Sequence, residues 1–581
     1  MSRRLPPTLL AVVAVALLAT PAAVAQKRDL WPGVTFEQTI QVTPSGPVVI
    51  DVLTGPRPGG TTTLEPLLSN GTITGTETLT ALERRLAPTA TYAGINGDFF
   101  NLGSGLPSGT LMQQGQLVST PTPNRSSVGI TSDGTLDVRR VALTSTWQGT
   151  GATHALSAFN SPPGPTGIAL FTPAWGLTTP SIKNSVAAVL FPFPATTPGV
   201  PLAAPVQEIV TDSSVPIPPG GAVLVARGAA AAQLQAEAPA DTRVTAQLSF
   251  APAWPGVIAA IGGGPQIVRD GAPVFRAGEA FSNLQLTPPD PRSAVGQLRD
   301  GRIVLIAVDG RQPGWSAGLT NFQLAQALVR YGAVTGMALD GGGSTTMAFD
   351  GTLLNRPSGG TERPISTALA FAYTGVLATA SAPAVSPNGD GVDDVETLGY
   401  KLVTPSSVTL TLQAPDGSAP VSQMLDAQPP GIYPVPFPPT GSQLAQGQWK
   451  LSVTATDELG QKSAMTQPFT VDDSIGFLAV SAPRLFLPPG GRELTISWRT
   501  GGQAKVVATI ETKDGAVVRT LATGKFPLGD KSVTWNGLDR AGKRVKGGVY
   551  RAHLVARSAF GTVELAKTFT VRQIVGPPKG S

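Results

Sequence analysis

At 581 residues the chain is too long for one ordinary domain, and 41% hydrophobic with 14% charged residues describes folded globular material. There are no cysteines and two histidines, His154 and His553, which excludes disulfide scaffolds, thiolate catalysis and histidine-rich metal centres. A formal charge of +5 is small for this length and no basic cluster stands out, so nucleic acid is not an expected partner.

Residues 1–25 read as a cleavable signal peptide. Arg3 and Arg4 supply the charged region, residues 9–18 the apolar run, and Ala23-Val24-Ala25 the small-residue cleavage site. Losing those two arginines would lower the formal charge to +3. Leu5-Pro6-Pro7 follows the arginine pair where a twin-arginine signal has apolar residues, so that resemblance is weak. No later stretch is long and apolar enough to span a bilayer. The expectation is bacterial-type export to a secreted or cell-surface location.

Residues 34–52 alternate as strands, and 82–86 as a short helix. The block NGDFF at 96–100 would by its Asn-Gly pair be a turn. Asn96, Asp98 and Asn101 beside Phe99 and Phe100 make it a candidate for holding a polar ligand. Residues 144–206 read as strands joined by long loops, with His154 structural and Trp175 a packing residue. A strand is expected at 222–226 and a helix at 229–238. IGGGP at 261–265 ends a strand in glycines that let a ligand approach the backbone.

The segment 302–346 is the most informative. Residues 303–308 form an apolar, β-branched strand that ends at Asp309-Gly310-Arg311. Thr320 and Gln323 make a capping box, Phe322, Ala325, Leu328 and Val329 recur at helical spacing, and Gly332 is the stop. A second strand, 337–339, ends at Asp340, followed by Gly341, Gly342, Gly343, Ser344 and Thr345. Strand, crossover helix and strand make a βαβ unit with parallel strands, which brings Asp309 and Asp340 to one sheet edge. Each Asp-Gly alone would be an ordinary turn. Glu362 and Arg363, after a glycine-rich loop, are further cleft candidates.

A last strand of this region is expected at 368–372, then an Ala/Ser/Pro linker at 379–387. Alternating strands with closely spaced turn signals fill 395–471 and 494–571, as in all-β sandwiches. The two segments echo each other: LSVTA (451–455) with FTV (469–471), and HLVAR (553–557) with FTV (569–571).

The blocks NGDFF, IGGGP, RSAVG (292–296), VDGRQ (308–312) and LDGGGSTTM (339–347), in this order, resemble the phosphodiester glycosidase family. The segment VTWNGLD (533–539) through GGVY (547–550) resembles the immunoglobulin-like module of flagellar hook-capping proteins. The expected architecture is therefore multidomain: a mixed α+β (α/β) catalytic domain at 30–375, a linker at 376–394, and two all-β immunoglobulin-like sandwiches at 395–473 and 476–573.

The resemblance implies hydrolysis of a sugar attached through its anomeric carbon to phosphate; the substrate is expected to be a glycan or cell-wall polymer, and the sequence itself shows no required cofactor. Glycosyl transfer to water commonly uses two carboxylates, assigned to Asp309 and Asp340. Arg292 and Arg311 are the phosphate-binding candidates. Gly342, Gly343, Ser344 and Thr345 would donate hydrogen bonds, and Asn96 and Asp98 would hold the sugar. Arg292 reads equally as a structural ion-pair partner. Two other functions stay open: a non-catalytic glycan-binding protein, and a phosphodiesterase cutting P–O. The linker sequence SPNGDG (386–391) resembles a signature of such tails. Asn388, Asp390 and Asp393 there could bind Ca²⁺ or form a polar turn without it. The sandwiches are expected to favour cell-surface attachment.

Overall fold

The structure, a computed structural model, describes residues 26–573 except 212–213, 276, 381, 383, 439–443 and 488–492, so the expected signal peptide lies outside the described residues. Among the described residues no helix is long and apolar enough to cross a membrane. The chain divides into two compact units. The first holds residues up to Gly59, Leu64–Arg84 and Ala93–Phe371; the second holds Gly60–Thr63, Arg85–Tyr92 and the chain from Ala372 onward.

Strand dominates the first unit. Its central eight-stranded sheet runs in the order Gln26–Trp31, Val34–Thr43, Gly46–Gly55, Ile303–Val308, Arg292–Leu298, Ala333–Ala338, Gln266–Arg269, Ala272–Pro273. Every neighbouring pair is antiparallel. Ile303–Val308 and Ala333–Ala338 both pair with Arg292–Leu298, which lies between them, so they run parallel to each other without touching. The expected βαβ direction therefore holds. The sheet, however, is not the open parallel kind, because an antiparallel strand from upstream in the chain inserts into the crossover.

The helix Asn321–Arg330 forms where its cap predicts. Thr320 Oγ1 accepts from the Gln323 N–H at 3.2 Å, and Gln323 Oε1 accepts from the Thr320 N–H at 2.9 Å. Its buried residues Leu324, Ala325, Ala327 and Leu328 pack on Val304, Ile306 and Val308 of the sheet. Burial of each leucine contributes about 1.5–3 kcal/mol. This contact fixes the sheet edge from which Asp309 and Asp340 emerge.

A second eight-stranded sheet, from residues within 142–251 and ordered Thr153–Ala155, Ala142–Gln148, Arg243–Ala251, Pro201–Thr211, Ser185–Leu190, Ala222–Arg227, Ile168–Phe171, Ala158–Phe159, carries its own core around Trp147, Leu170, Leu224 and Leu248. Helix Ala229–Glu237 supplies Glu237, whose carboxylate meets His154 Nε2 at 2.9 Å, so His154 is a structural partner. Trp175 packs edge-on against Phe171 at 5.0 Å. Two five-stranded sheets complete the unit. One contains Val257–Gly262, and the other contains Thr91–Asn96 beside Met347–Phe349 and Thr367–Tyr373.

The helix expected at 82–86 begins earlier, at Leu79. The Thr80 N–H and hydroxyl bond the Glu362 carboxylate at 3.0 and 2.7 Å, a cap supplied from far along the chain. This also removes Glu362 from the cleft candidates.

The second unit contains two sandwiches, each a three-stranded sheet with a five-stranded one. In the first, Gly447–Asp457 and Lys462–Val471 pair in the five-stranded sheet; in the second, Gly548–Arg557 and Thr562–Gln573 take the same places. These are the strands that carry the sequence echo. Each core is built on a tryptophan: Trp449 with Phe437 and Phe469, Trp535 with Tyr550 and Phe569. The segment expected to be a linker contributes strands Leu377–Ala380 and Ala384–Val385 to the first sandwich. Its residues are small and proline-rich, but those strands pair through backbone groups, which composition does not reveal.

Candidate active site

Four of the sequence blocks meet through backbone and amide hydrogen bonds. Asn96, at the end of Thr91–Asn96, is 1% exposed and donates from Nδ2 to the Asp340 carbonyl at 2.6 Å. Its Oδ1 accepts from Ser293 Oγ at 2.6 Å and from the Thr346 N–H at 3.2 Å. The Asp340 N–H donates to the Gly97 carbonyl at 3.0 Å, the Leu339 N–H to the Ser293 carbonyl at 2.8 Å, and the Gly264 N–H to the Ala338 carbonyl at 2.9 Å. Asn96 thus does not face a sugar. It staples three strands together and sets the backbone that presents Asp340.

Asp340 is partly exposed. Burial pushes its carboxyl up to about 6, opposed by a hydrogen bond from Ser344 and by the charges of Arg363 and Arg125. Asp98 stands behind it, 4% exposed. Its Oδ1 accepts from the Phe99 N–H at 2.7 Å, while its buried Oδ2 lies against Gly109 and Gly262 with no partner within hydrogen-bond geometry among the described residues. Burial first, and repulsion from Asp340 besides, push the Asp98 carboxyl up to about 7 despite the pull of Arg125. Glycine at 262 is what admits it, since a β-carbon there would collide with Asp98 Oδ2.

The expected partner of Asp340, Asp309, is engaged elsewhere. It is 1% exposed. Its Oδ2 accepts from Trp315 Nε1 at 2.8 Å, and its Oδ1 from Asn355 Nδ2 at 3.0 Å and the Arg356 N–H at 3.1 Å. Three donors leave that carboxylate satisfied as a loop anchor, with the Arg356 guanidinium 5.5 Å over the Trp315 ring. The βαβ geometry set the edge correctly, but the side chains of Asp309 and Asp340 leave it to different neighbours.

Arg292 is also a clamp, neither a phosphate ligand nor an ion-pair partner of Asp340. Its three nitrogens donate to the carbonyls of Leu319, Gln285 and Pro288 at 2.8, 2.7 and 2.8 Å, and burial holds its pKa below the usual value. Arg311 makes a two-pronged bond to Asp290 at 2.8 and 3.1 Å, which neutralises it. Its backbone lies in the left-handed region, φ 58°, a strain the Asp290 fork helps to hold.

The cations that act on the carboxylates are Arg125 and Arg363 instead. Arg125 sits 4.4 Å over the Phe281 ring and 5.3 Å over Phe99. Arg363 is exposed, and Nη1 reaches Ser344 Oγ at 3.4 Å. Gly343 lies so close under this guanidinium that a β-carbon would strike it. Gly342 likewise lies beneath Arg311. Ser344 is fully buried, and Thr345 is 2% exposed, its hydroxyl without a hydrogen-bond partner among the described residues. Arg125 falls outside every sequence block. Its signal, an arginine flanked by aromatic residues distant in the chain, exists only in the fold.

In the linker motif, Asp390 accepts from the Val392 and Phe477 N–H groups at 2.8 and 2.6 Å, and Asn388 Nδ2 donates to Ser386 Oγ at 3.0 Å. Asp394, outside the expected trio, accepts from Gly389 and Gly391 at 2.6 Å each, while the Asp393 carbonyl accepts from the Ser386 N–H at 2.7 Å. The loop's side chains thus bond its own backbone and that of Ile475 and Phe477. Among the described residues no group of three or more His, Cys, Asp or Glu side chains is arranged to hold a metal ion.

Comparison with known proteins agrees with both sequence resemblances. Residues 203–372 match the phosphodiester glycosidase family, a span holding four of the five blocks, and residues 490–559 match the FlgD Ig-like domain. A 107-residue stretch is 35% identical to the SPbeta prophage-derived uncharacterized protein YomE of Bacillus subtilis (strain 168), covering 18% of this chain and 16% of that protein. A 67-residue stretch is 40% identical to the N-acetylglucosamine-1-phosphodiester alpha-N-acetylglucosaminidase of Bos taurus, 12% of each chain. The crystal structure of a hypothetical protein from Synechocystis is similar with a TM-score of 0.51 and 26% identity, over 61% of this chain and 64% of that one. The chain thus spans less than two thirds of each of these relatives.

Proposed function

We propose that this chain is an exported hydrolase that cleaves the glycosidic C–O bond of a sugar-1-phosphodiester, with Asp340 as the carboxylate at the anomeric carbon. The observation that carries the reading is a partly exposed carboxylate, Asp340, that feels the charges of Arg363 and Arg125 and is coupled to the buried carboxyl of Asp98. Support also comes from the matched family and from the bovine relative, whose name describes action on an N-acetylglucosamine-1-phosphodiester.

In the reaction the C1–O bond breaks with its electron pair leaving on the phosphate. Water supplies hydroxide to C1 and a proton to the departing phosphomonoester. Ionised Asp340 stabilises the positive charge growing at C1. Arg363, held by no salt bridge among the described residues, receives the charge growing on phosphate. A phosphate leaves readily, so no strong general acid is required. Below about pH 7 Asp98, its pKa raised by burial and by Asp340, instead keeps its proton and spares the site a second negative charge.

Hydrolysis of a sugar-1-phosphodiester in ¹⁸O-water tests this: label is expected in the released sugar. Label in the phosphate would assign P–O cleavage and overturn the glycosidase reading.

A further inference from the structure

The formal charge of +5 is unevenly spread along the chain. Residues 476–573, the second sandwich, hold 16 Lys and Arg against 6 Asp and Glu, a formal +10. Residues 395–473, the first sandwich, hold 3 against 7. Self-repulsion from such an excess works against a compact module, so folding does not explain it. Two of the acids are committed to partners of their own: Glu511 to Arg551 and His553 at 2.6 and 2.9 Å, and Asp530 to Arg499 at 2.8 Å.

Part of the excess forms a line across the five-stranded sheet. Lys505 opens strand Lys505–Thr512 and stands directly opposite Arg557 of Gly548–Arg557 on one side and Lys525 of Val517–Lys525 on the other. Directly opposite residues are about 5 Å apart, so three cations cross three neighbouring strands within roughly 10 Å. Val506 and Ala556, beside them in sequence, point into the core, which turns the line to the outer face, where all three are exposed. None of the three makes a hydrogen bond or ion pair among the described residues. The next row on this face, Thr523, Val507 and Val555, is uncharged and has no aromatic ring. Glu564, opposite Val555, meets His553 Nε2 at 3.2 Å, and Asp472 accepts from the hydroxyl of Ser558 at 2.7 Å.

Like charges directly opposite one another are destabilising, and a polyanion lying along the row would neutralise them. A polymer with one charge per repeat sets its charges in a line, several Å apart, as the strand spacing of about 5 Å sets these cations. Single-stranded nucleic acid binds through aromatic faces that stack on its bases, and the face offers none beside the row. We infer that Lys525, Lys505 and Arg557 form a docking surface for a flexible polymer that carries a phosphodiester in each repeat. Arg557 grips two oxygens of one phosphate, and the two lysines supply point charges for its neighbours. The choice of phosphate over carboxylate rests on the proposed function, because the module then holds the chain on the kind of polymer that its first unit cuts.

The probe is poly(glycerol phosphate), which has no glycosidic bond for the proposed activity to cleave, so binding and hydrolysis succeed or fail separately. The full chain is titrated with it over a series of salt concentrations. In the triple variant Lys505→Gln, Lys525→Gln, Arg557→Gln, affinity should drop at least about tenfold, and the slope of log K against log salt should flatten by about 2, at roughly 0.7 per phosphate contact. Lys543→Gln, Arg544→Gln, Lys546→Gln removes the same charge from exposed positions elsewhere on the module and should weaken binding less than about threefold. No binding by wild type, or equal loss in the two variants, would overturn the surface. Tighter binding of polygalacturonate or single-stranded DNA than of poly(glycerol phosphate) would overturn the assignment to a phosphate polymer. The row variant should melt no lower than wild type, since it relieves repulsion between exposed side chains. A lower melting temperature would show that the row serves the fold and would count against the surface.

Discussion

Asp98 is the residue whose burial has the most consequences. A carboxyl lifted from its ordinary 3.8 to about 7 keeps its proton in the folded chain over a range where the unfolded chain has released it. The folded state therefore binds more protons between about pH 4 and 7, and stability must fall as pH rises through that window. The full difference is about 4 kcal/mol, at roughly 1.36 kcal/mol per unit. Asp98→Asn removes this dependence, so the variant should be more stable than wild type at pH 8 and nearly equal to it at pH 4, read by denaturant titration at each pH. It should also be less active, as a site optimised for chemistry rather than stability requires.

The same two carboxyls shape the pH profile. Asp340 must ionise, near 6, and Asp98 must stay protonated, up to about 7. The kcat/KM profile should then be a narrow bell between those values, and in Asp98→Asn its alkaline limb should flatten. Asp340→Asn should lower kcat by about 10²–10⁴-fold with an unchanged melting temperature; activity within tenfold of wild type would dismiss Asp340 from the chemistry. None of this is visible in the sequence at Asp98 itself. The residue types were legible there, but burial, and with it protonation, depends on Gly109 nearby and on Gly262, more than 160 residues away.

At the scale of elements, the glycine loop 341–343 acts as a platform rather than a source of flexibility. Gly343 leaves room for the Arg363 guanidinium above it. In Gly343→Ala the obstruction meets only the mobile end of an arginine, so the melting temperature should hold while KM for the phosphodiester rises about tenfold. A parallel loss of stability would show that the glycine serves the backbone instead. Helix Asn321–Arg330 offers the contrasting case, where local chemistry suffices. Its cap was legible from two residues, and Thr320→Ala should cost about 1 kcal/mol, measured by chemical denaturation. The pairing of Asp309 with Asp340 was misjudged for a related reason. Sequence periodicity gives strand direction and edge, whereas the destination of a side chain is set by donors such as Trp315 and Asn355, supplied by loops the periodicity does not describe.

At the scale of the molecule, two kinds of folding logic share one chain. The tandem sandwiches announce themselves through short alternating strands and a repeated pattern, because each buries a local core around its own tryptophan. Trp535 is 1% exposed, and Trp535→Ala should destabilise its sandwich by about 3–5 kcal/mol. In the isolated segment 377–573, the melt of that module should shift while the Trp449-based one holds.

By itself the sequence determined the class of material, the order of domains, the helix cap, the repeat in the second half and the family blocks, since each rests on neighbours within a few residues or on a local period. Tertiary structure alone decided which residues of those blocks gather at one site. It turned Asn96, Arg292 and Asp309 into anchors by surrounding them with donors and acceptors, and it set Arg125, Arg363 and Asp98 around Asp340. Charge state and hydrogen-bond satisfaction are properties of an assembled environment, and that environment comes from strands that sequence order keeps far apart.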